Sequence, residues 1–139
     1  MNNFIFQNAT KVYFGKGCVK EYLSCLTGPY RTVMLAYGGG SIKQNGIYDE
    51  VVGILRAAGK TILEFSGIMA NPTYAKVLEG AKLARENNVD MILGVGGGSV
   101  MDCCKAVSLS ARYGGDVWND FWARPGVVDL EPLPLGVIV

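Results

Sequence analysis

The sequence predicts an α/β chain, a parallel sheet flanked by helices on both faces. Three observations carry that expectation. Short apolar runs alternate along the chain with longer segments whose apolar residues recur at helical spacing. The runs are apolar throughout, as in strands buried on both faces. Two of them end directly in glycine clusters, 38–40 and 94–98, and these hold seven of the 19 glycines in 139 residues.

Taken in order, residues 11–14 read as a short strand ending at Gly15, and residues 18–26 as a helix stopped by Gly28-Pro29. Residues 31–36 form an apolar run leading into the first glycine cluster. Ile47, Val51, Ile54, Leu55 and Ala58 then share one helical face, and Gly59 closes that helix. Residues 61–65 read as the next strand. Asn71-Pro72-Thr73 opens another helix, with Asn71 as cap and Pro72 as first helical residue; its inner face is Tyr74, Val77, Leu78, Ala81 and Ala84. Residues 91–94 are a strand and 100–111 the following helix. Residues 113–133 are loop-rich, with a short helix near 116–122, and residues 135–139 form a last strand.

Composition narrows the function classes. Histidine is absent, which removes Ser-His-Asp and Cys-His catalysis and any His-containing metal site from within this chain. A net charge of +1 argues against nucleic acid or an anionic membrane as partner. The longest uncharged apolar stretch, between Asp90 and Asp102, is 11 residues and too short to span a bilayer. The start of the chain lacks the basic and apolar regions of a signal peptide. Four cysteines without a C-x-x-C spacing read as reduced thiols in a cytoplasmic protein, with Cys103-Cys104 as small core residues.

The strongest chemical signal is Gly94-Val-Gly96-Gly97-Gly98-Ser99-Val-Met-Asp102 between a strand and a helix. Adjacent glycines let a ligand approach the backbone, and the helix start offers free amides and positive potential. The pattern suits a phosphate or pyrophosphate, so the chain reads as a Rossmann-like dinucleotide-binding domain. Ser99 stands where the usual fingerprint has its last glycine, and the run comes late in the chain. The earlier run, Gly38-Gly39-Gly40-Ser41-Ile42-Lys43, contains no acidic residue to accept from adenosine ribose hydroxyls. Glycine amides, a serine hydroxyl and a lysine suit a 2′-phosphate, which favours NADP over NAD. Asp102, one turn into its helix, either bonds a nicotinamide amide or ribose hydroxyl or orders the loop, and Lys105 can pair with it. Trp118, Phe121 and Trp122 read as core or interface packing.

In this order, the first glycine run, Asn71-Pro72-Thr73 and the run Gly96 to Lys105 resemble the iron-containing (group III) alcohol dehydrogenases. The similarity is greatest to the NADPH-linked butanol dehydrogenase and aldehyde reductase branch. Phe4, Tyr13 to Gly17, Gly67 to Pro72 and Trp118 within residues 116–120 match as well. The resemblance implies a domain of residues 1–139 whose cofactor contacts are Gly38, Gly39, Gly40, Ser41, Asn71, Gly96, Gly97, Gly98, Ser99 and Asp102. It places Asp102 near the nicotinamide end, and an Asp at the position of Gly39 in NAD-preferring members. It further implies a helical metal domain, absent from this sequence, whose one Asp and three His would hold Fe²⁺ or Zn²⁺. No catalytic residue or metal ligand is then expected in these residues, and the piece alone is expected to be inactive. The whole enzyme would act on a small alcohol or aldehyde, with a homodimer possible. The apolar end at 137–139 is expected to promote self-association. Two alternatives stand: a glycerol dehydrogenase- or dehydroquinate synthase-like domain, and a stand-alone, non-catalytic nucleotide-binding domain.

Overall fold

A computed structural model describes residues 3–124 and 130–139. Its four strands, β1 (Thr32–Tyr37), β2 (Thr61–Phe65), β3 (Met91–Val95) and β4 (Leu135–Ile138), form a parallel sheet in the order β2-β1-β3-β4. Parallel strands need crossover connections, and helices supply them. These are α2 (Ser41–Gln44) and α3 (Ile47–Ala57) between β1 and β2, α4 (Tyr74–Glu86) between β2 and β3, and α5 (Gly98–Ala111) after β3. α1 (Cys18–Leu26) precedes the sheet, and a single π-helical turn occupies Trp118–Trp122.

The strand period of two sorts side chains to opposite faces. From β1, Met34 and Ala36 pack with Phe65, Val77, Val100, Cys103, Cys104 and Val107 on the α4–α5 side. Val33, Leu35 and Tyr37 pack with Leu23, Ile42, Val51 and Leu55 on the α1–α3 side. β1 and β3 are central and buried along their length apart from Thr32, which is half-buried. β2 is an edge strand, and among its residues only Phe65 is fully buried.

Asp90 fixes where β1 begins beside β3. Its Oδ2 accepts from the Arg31 amide at 2.8 Å and its Oδ1 from the Thr32 amide at 2.9 Å. Ser108 and Leu133 perform a similar task for β4. The Ser108 hydroxyl donates to the Leu133 carbonyl at 2.5 Å, and the Leu133 amide donates to the Ser108 carbonyl at 3.1 Å. The chain is thereby pinned to α5 just before it enters the sheet.

Several expectations need correction. Residues 11–14 are not a strand: Val12 and Phe14 are exposed, and no neighbouring strand pairs with them among the described residues. The cap of α4 is Thr73, whose Oγ1 accepts from the Lys76 amide at 3.2 Å, so Asn71 and Pro72 lie outside the helix. Leu78 is exposed rather than part of the inner face; Val77, Gly80, Ala81 and Ala84 form it. α5 begins two residues earlier than its apolar pattern implied, because Gly98 and Ser99 form its first turn. Trp118 and Trp122 are each about half exposed, which removes the core part of the packing role read for them, although Trp118 contacts the ring of Tyr74 at 5.5 Å between centroids. Within the loop expected over 113–133, residues 125–129 lie outside the described residues.

Gly80 lets α4 pack tightly on β2 and α5. A Cβ there would lie 2.8 Å from both Phe65 Cε1 and Val107 Cγ2, and both side chains are buried with no room to yield. Alanine would gain about 1 kcal/mol of helix propensity, against an overpacking cost of about 1–3 kcal/mol. Gly80→Ala is therefore expected to lower stability by up to about 2 kcal/mol, read as a reduced urea midpoint with an unchanged slope.

Candidate functional site

β1 and β3 are neighbours, yet the chain leaves β1 toward β2 on one side and returns to β3 on the other. The strand order reverses between them, which is where an open parallel sheet leaves a crevice at its carboxyl edge. Tyr37 pairs with Val95 across the two strands, so the two glycine runs emerge side by side. Gly38 and Gly96 are the first residues beyond that pair.

Val100, on the first turn of α5, packs against the second run. A Cβ on Gly96 would meet Val100 Cγ2 at 2.8 Å and one on Gly94 would meet Cγ1 at 3.5 Å, whereas one on Gly38 would first meet the Ile68 carbonyl at 3.0 Å and reach Cγ2 only at 4.0 Å. Gly96 also has φ +151, a conformation that side-chain-bearing residues rarely adopt. The loop after β2 closes the third side. The Gly67 amide donates to the Gly38 carbonyl at 3.0 Å and the Ile68 amide to the Tyr37 carbonyl at 3.3 Å. Asn71 follows that loop, exposed and in the left-handed region at φ 50.

Gly39, Gly40, Gly97 and Gly98 differ from Gly96. A Cβ at any of them would meet nothing within 4 Å, and none has a left-handed φ. The fold itself gives no reason for glycine at these four positions. Bare backbone facing open space is what a closely approaching ligand requires. α5 also leaves the amides of Gly98, Ser99 and Val100 without intrahelical acceptors, and its N-cap, Gly97, has no side chain to satisfy them. Phosphate oxygens match this arrangement in charge and in hydrogen-bonding sense.

Beside the runs lies an open cleft of about 440 Å³, into which Ser41, Asn45, Glu50, Gly96 and Ile138 contribute. The structure thus brings Ser41 of the first run to Gly96 of the second. Asp102 is exposed on the second turn of α5, 3.9 Å from the Lys105 ammonium, and does not line this cleft. The Cys103 and Cys104 thiols are buried, and burial pushes Cys104 up to about 12, which keeps it protonated and inert.

Sequence reasoning missed Asn45 and Glu50, and it missed the surroundings of Lys43. The Lys43 ammonium lies 5.6 Å from the Tyr37 ring centroid and 4.7 Å from that of Tyr48. Both phenol hydroxyls donate to Oε1 of Glu64 on β2. These residues come together from four elements, and no local spacing announces them. A shallow groove beside Tyr74, Asp116, Trp118 and Asn119 lies apart from the two runs.

Among the described residues no group of three or more His, Cys, Asp or Glu side chains converges to hold a metal. No helix among them is long and apolar enough to cross a membrane.

Comparison with known proteins identifies the family and agrees with the fold. The chain is 43% identical over its whole length to a probable NADH-dependent butanol dehydrogenase 2 of Bacillus subtilis, covering 35% of that protein. It is 41% identical over 113 residues to the NADPH-dependent aldehyde reductase YqhD of Escherichia coli, spanning 81% of this chain and 28% of the relative. The crystal structure of an NADH-dependent butanol dehydrogenase A from Thermotoga maritima superposes with a TM-score of 0.86 at 41% identity. That superposition takes in 99% of this chain and 34% of the other. The chain thus spans about a third of the length of the relatives it matches. The family model for iron-containing alcohol dehydrogenase matches residues 9–139, and the chain belongs to that family.

Proposed function

We propose that this chain is the dinucleotide-binding part of an alcohol dehydrogenase that transfers hydride between a primary alcohol or its aldehyde and NADP(H). The observation that carries the proposal is the juxtaposition of two glycine runs at the carboxyl ends of β1 and β3, where the strand order reverses. In this reading Gly96, Gly97, Gly98 and Ser99 cradle the pyrophosphate with backbone amides. Gly38, Gly39, Gly40 and Ser41 take the adenosine ribose and its 2′-phosphate. Asn71 adds a contact from the loop after β2, and Asp102 lies toward the nicotinamide end. When bound, the nicotinamide ring gives or accepts the hydride. This chain's own residues bind and orient the dinucleotide, and the sheet keeps the two runs in register.

The relatives' names include both NADH- and NADPH-dependent enzymes. The preference for NADP rests on the absence of any Asp or Glu from Gly38 to Gln44, together with Lys43 beside that run. The metal in the family's name does not fit here, since the chain has no His and its described residues converge no ligand set. These 139 residues by themselves are therefore expected to bind cofactor without turning over an alcohol. The free cysteines support the reading of a reducing compartment such as the cytoplasm for the proposed enzyme.

Calorimetric titration tests the reading directly. NADPH is expected to bind at least about tenfold more tightly than NADH, the scale of one charge-assisted phosphate contact. Equal affinities would remove the case for NADP, and binding of neither would remove the dinucleotide reading. Gly39→Asp adds a carboxylate to a position with free space around its Cβ. That variant is expected to fold normally and to reverse the order of the two affinities. In a spectrophotometric assay, the chain alone is expected to show no alcohol-dependent reduction of NADP; measurable turnover would show that these residues suffice for catalysis.

A further inference from the structure

Lysine carries four rotatable bonds, and α2, which bears Lys43, is a helix of only four residues. Left to itself, such a side chain would sweep a wide volume, and its charge would be poorly aimed. The structure constrains it. The ammonium sits over two rings set edge to face, with centroids 5.8 Å apart and planes at 71°. Tyr37 is the last residue of β1, only 4% exposed, and it directly precedes Gly38. Tyr48 lies on the first turn of α3. The face of an aromatic ring attracts a cation, and two such faces narrow the positions open to it.

The rings are themselves tied down. The Tyr37 hydroxyl donates to Oε1 of Glu64 at 3.2 Å, and the Tyr48 hydroxyl donates to the same oxygen. Glu64 stands on β2, paired in register with Leu35 of β1. The hydrogen bond to Glu64, followed by desolvation, pushes the Tyr48 phenol up to about 12, so it remains a donor through the physiological range. The Lys43 amide donates to the Gly40 carbonyl at 3.0 Å, which ties the start of this side chain to the first glycine run.

We propose that Tyr37, Tyr48 and Glu64 form a clamp that holds Lys43 beside the first glycine run, and that this held ammonium sets the preference for a 2′-phosphorylated dinucleotide. The inference rests on the dinucleotide reading above and adds the device that selects between its two forms. Lys43 is the residue that touches the ligand; Tyr37, Tyr48 and Glu64 are positioning residues. Two carboxylates stand near enough to serve a ribose diol instead: Glu50, which lines the cleft with Ser41, and Glu64, whose Oε1 already accepts two phenol protons.

The experiment measures the NADPH and NADH dissociation constants of the chain and of Lys43→Gln, Tyr48→Phe and Glu64→Gln. Far-UV circular dichroism and melting midpoints establish that each variant is folded. Lys43→Gln is expected to weaken NADPH about ten- to a hundredfold and to leave NADH nearly unchanged. Tyr48→Phe keeps the ring and loses the tether, and is expected to weaken NADPH by a smaller factor, again without an effect on NADH. A merely structural role would lower both affinities together. If the unmodified chain prefers NADPH and Lys43→Gln keeps that preference, the clamp is overturned and the dinucleotide reading stands. A Glu64→Gln variant that loses NADH alone would assign Glu64 to the ribose and overturn the clamp as well. If the unmodified chain binds neither nucleotide, the dinucleotide reading falls and the clamp falls with it.

Discussion

The side chain of Val100 is the point on which the candidate site depends. Its two methyl groups fill the space beneath Gly94 and Gly96, and at Gly96 the fit leaves no room for a Cβ. The isopropyl group therefore sets how closely the start of α5 approaches the end of β3. The distance between the two glycine runs is set by the pairing of β1 with β3, which places Tyr37 opposite Val95. Packing of this density transmits position: a shift of one run is felt by the other. A β-branched residue suits this task because its rotamer is fixed by the helix that carries it.

Everything behind Val100 keeps it in place. α5 packs beside α4 on one face of the sheet, and its inward residues are small or branched: Cys103, Cys104, Val107, Ser108 and Ala111. Gly94 allows Cys104 to sit against β3, where a Cβ would lie 3.0 Å from its sulfur. Asp90 at the other end of β3 fixes the start of β1, so the register that brings Tyr37 opposite Val95 is held from both ends. The vicinal cysteines serve packing. Their thiols are shifted toward protonation by burial, and no chemistry needs to be sought there.

The parts of this arrangement that were legible in the sequence are those encoded locally. β1 and β3 announce themselves as continuous apolar runs because both their faces are covered. The glycine runs were readable because a strand, a glycine cluster and a helix follow one another in the chain. Where a feature depends on a distant partner, the sequence misleads or is silent. Val12 and Phe14 alternate as strand residues do, yet a strand needs a neighbour, and none pairs with them among the described residues. Asn71 is a good helix cap by type, but asparagine also tolerates the left-handed conformation it adopts here, and Thr73 performs the capping. α2 is too short to show a period. The Tyr37–Tyr48–Glu64 cluster joins residues 16 and 27 positions apart through sheet order and the packing of α3 beside β2. The distinction between glycines required by the fold and glycines facing open space exists only in three dimensions.

That distinction is the central claim: two runs, set side by side by the pairing of β1 with β3, present bare backbone to the phosphates of a dinucleotide. Amide-resolved NMR of the chain during titration with NADPH tests it most directly. The account predicts that the largest shift changes fall on the amides of Gly38 to Ser41 and Gly96 to Val100, saturating together. Changes centred instead on the groove beside Tyr74 and Trp118, or on one run alone, would contradict it.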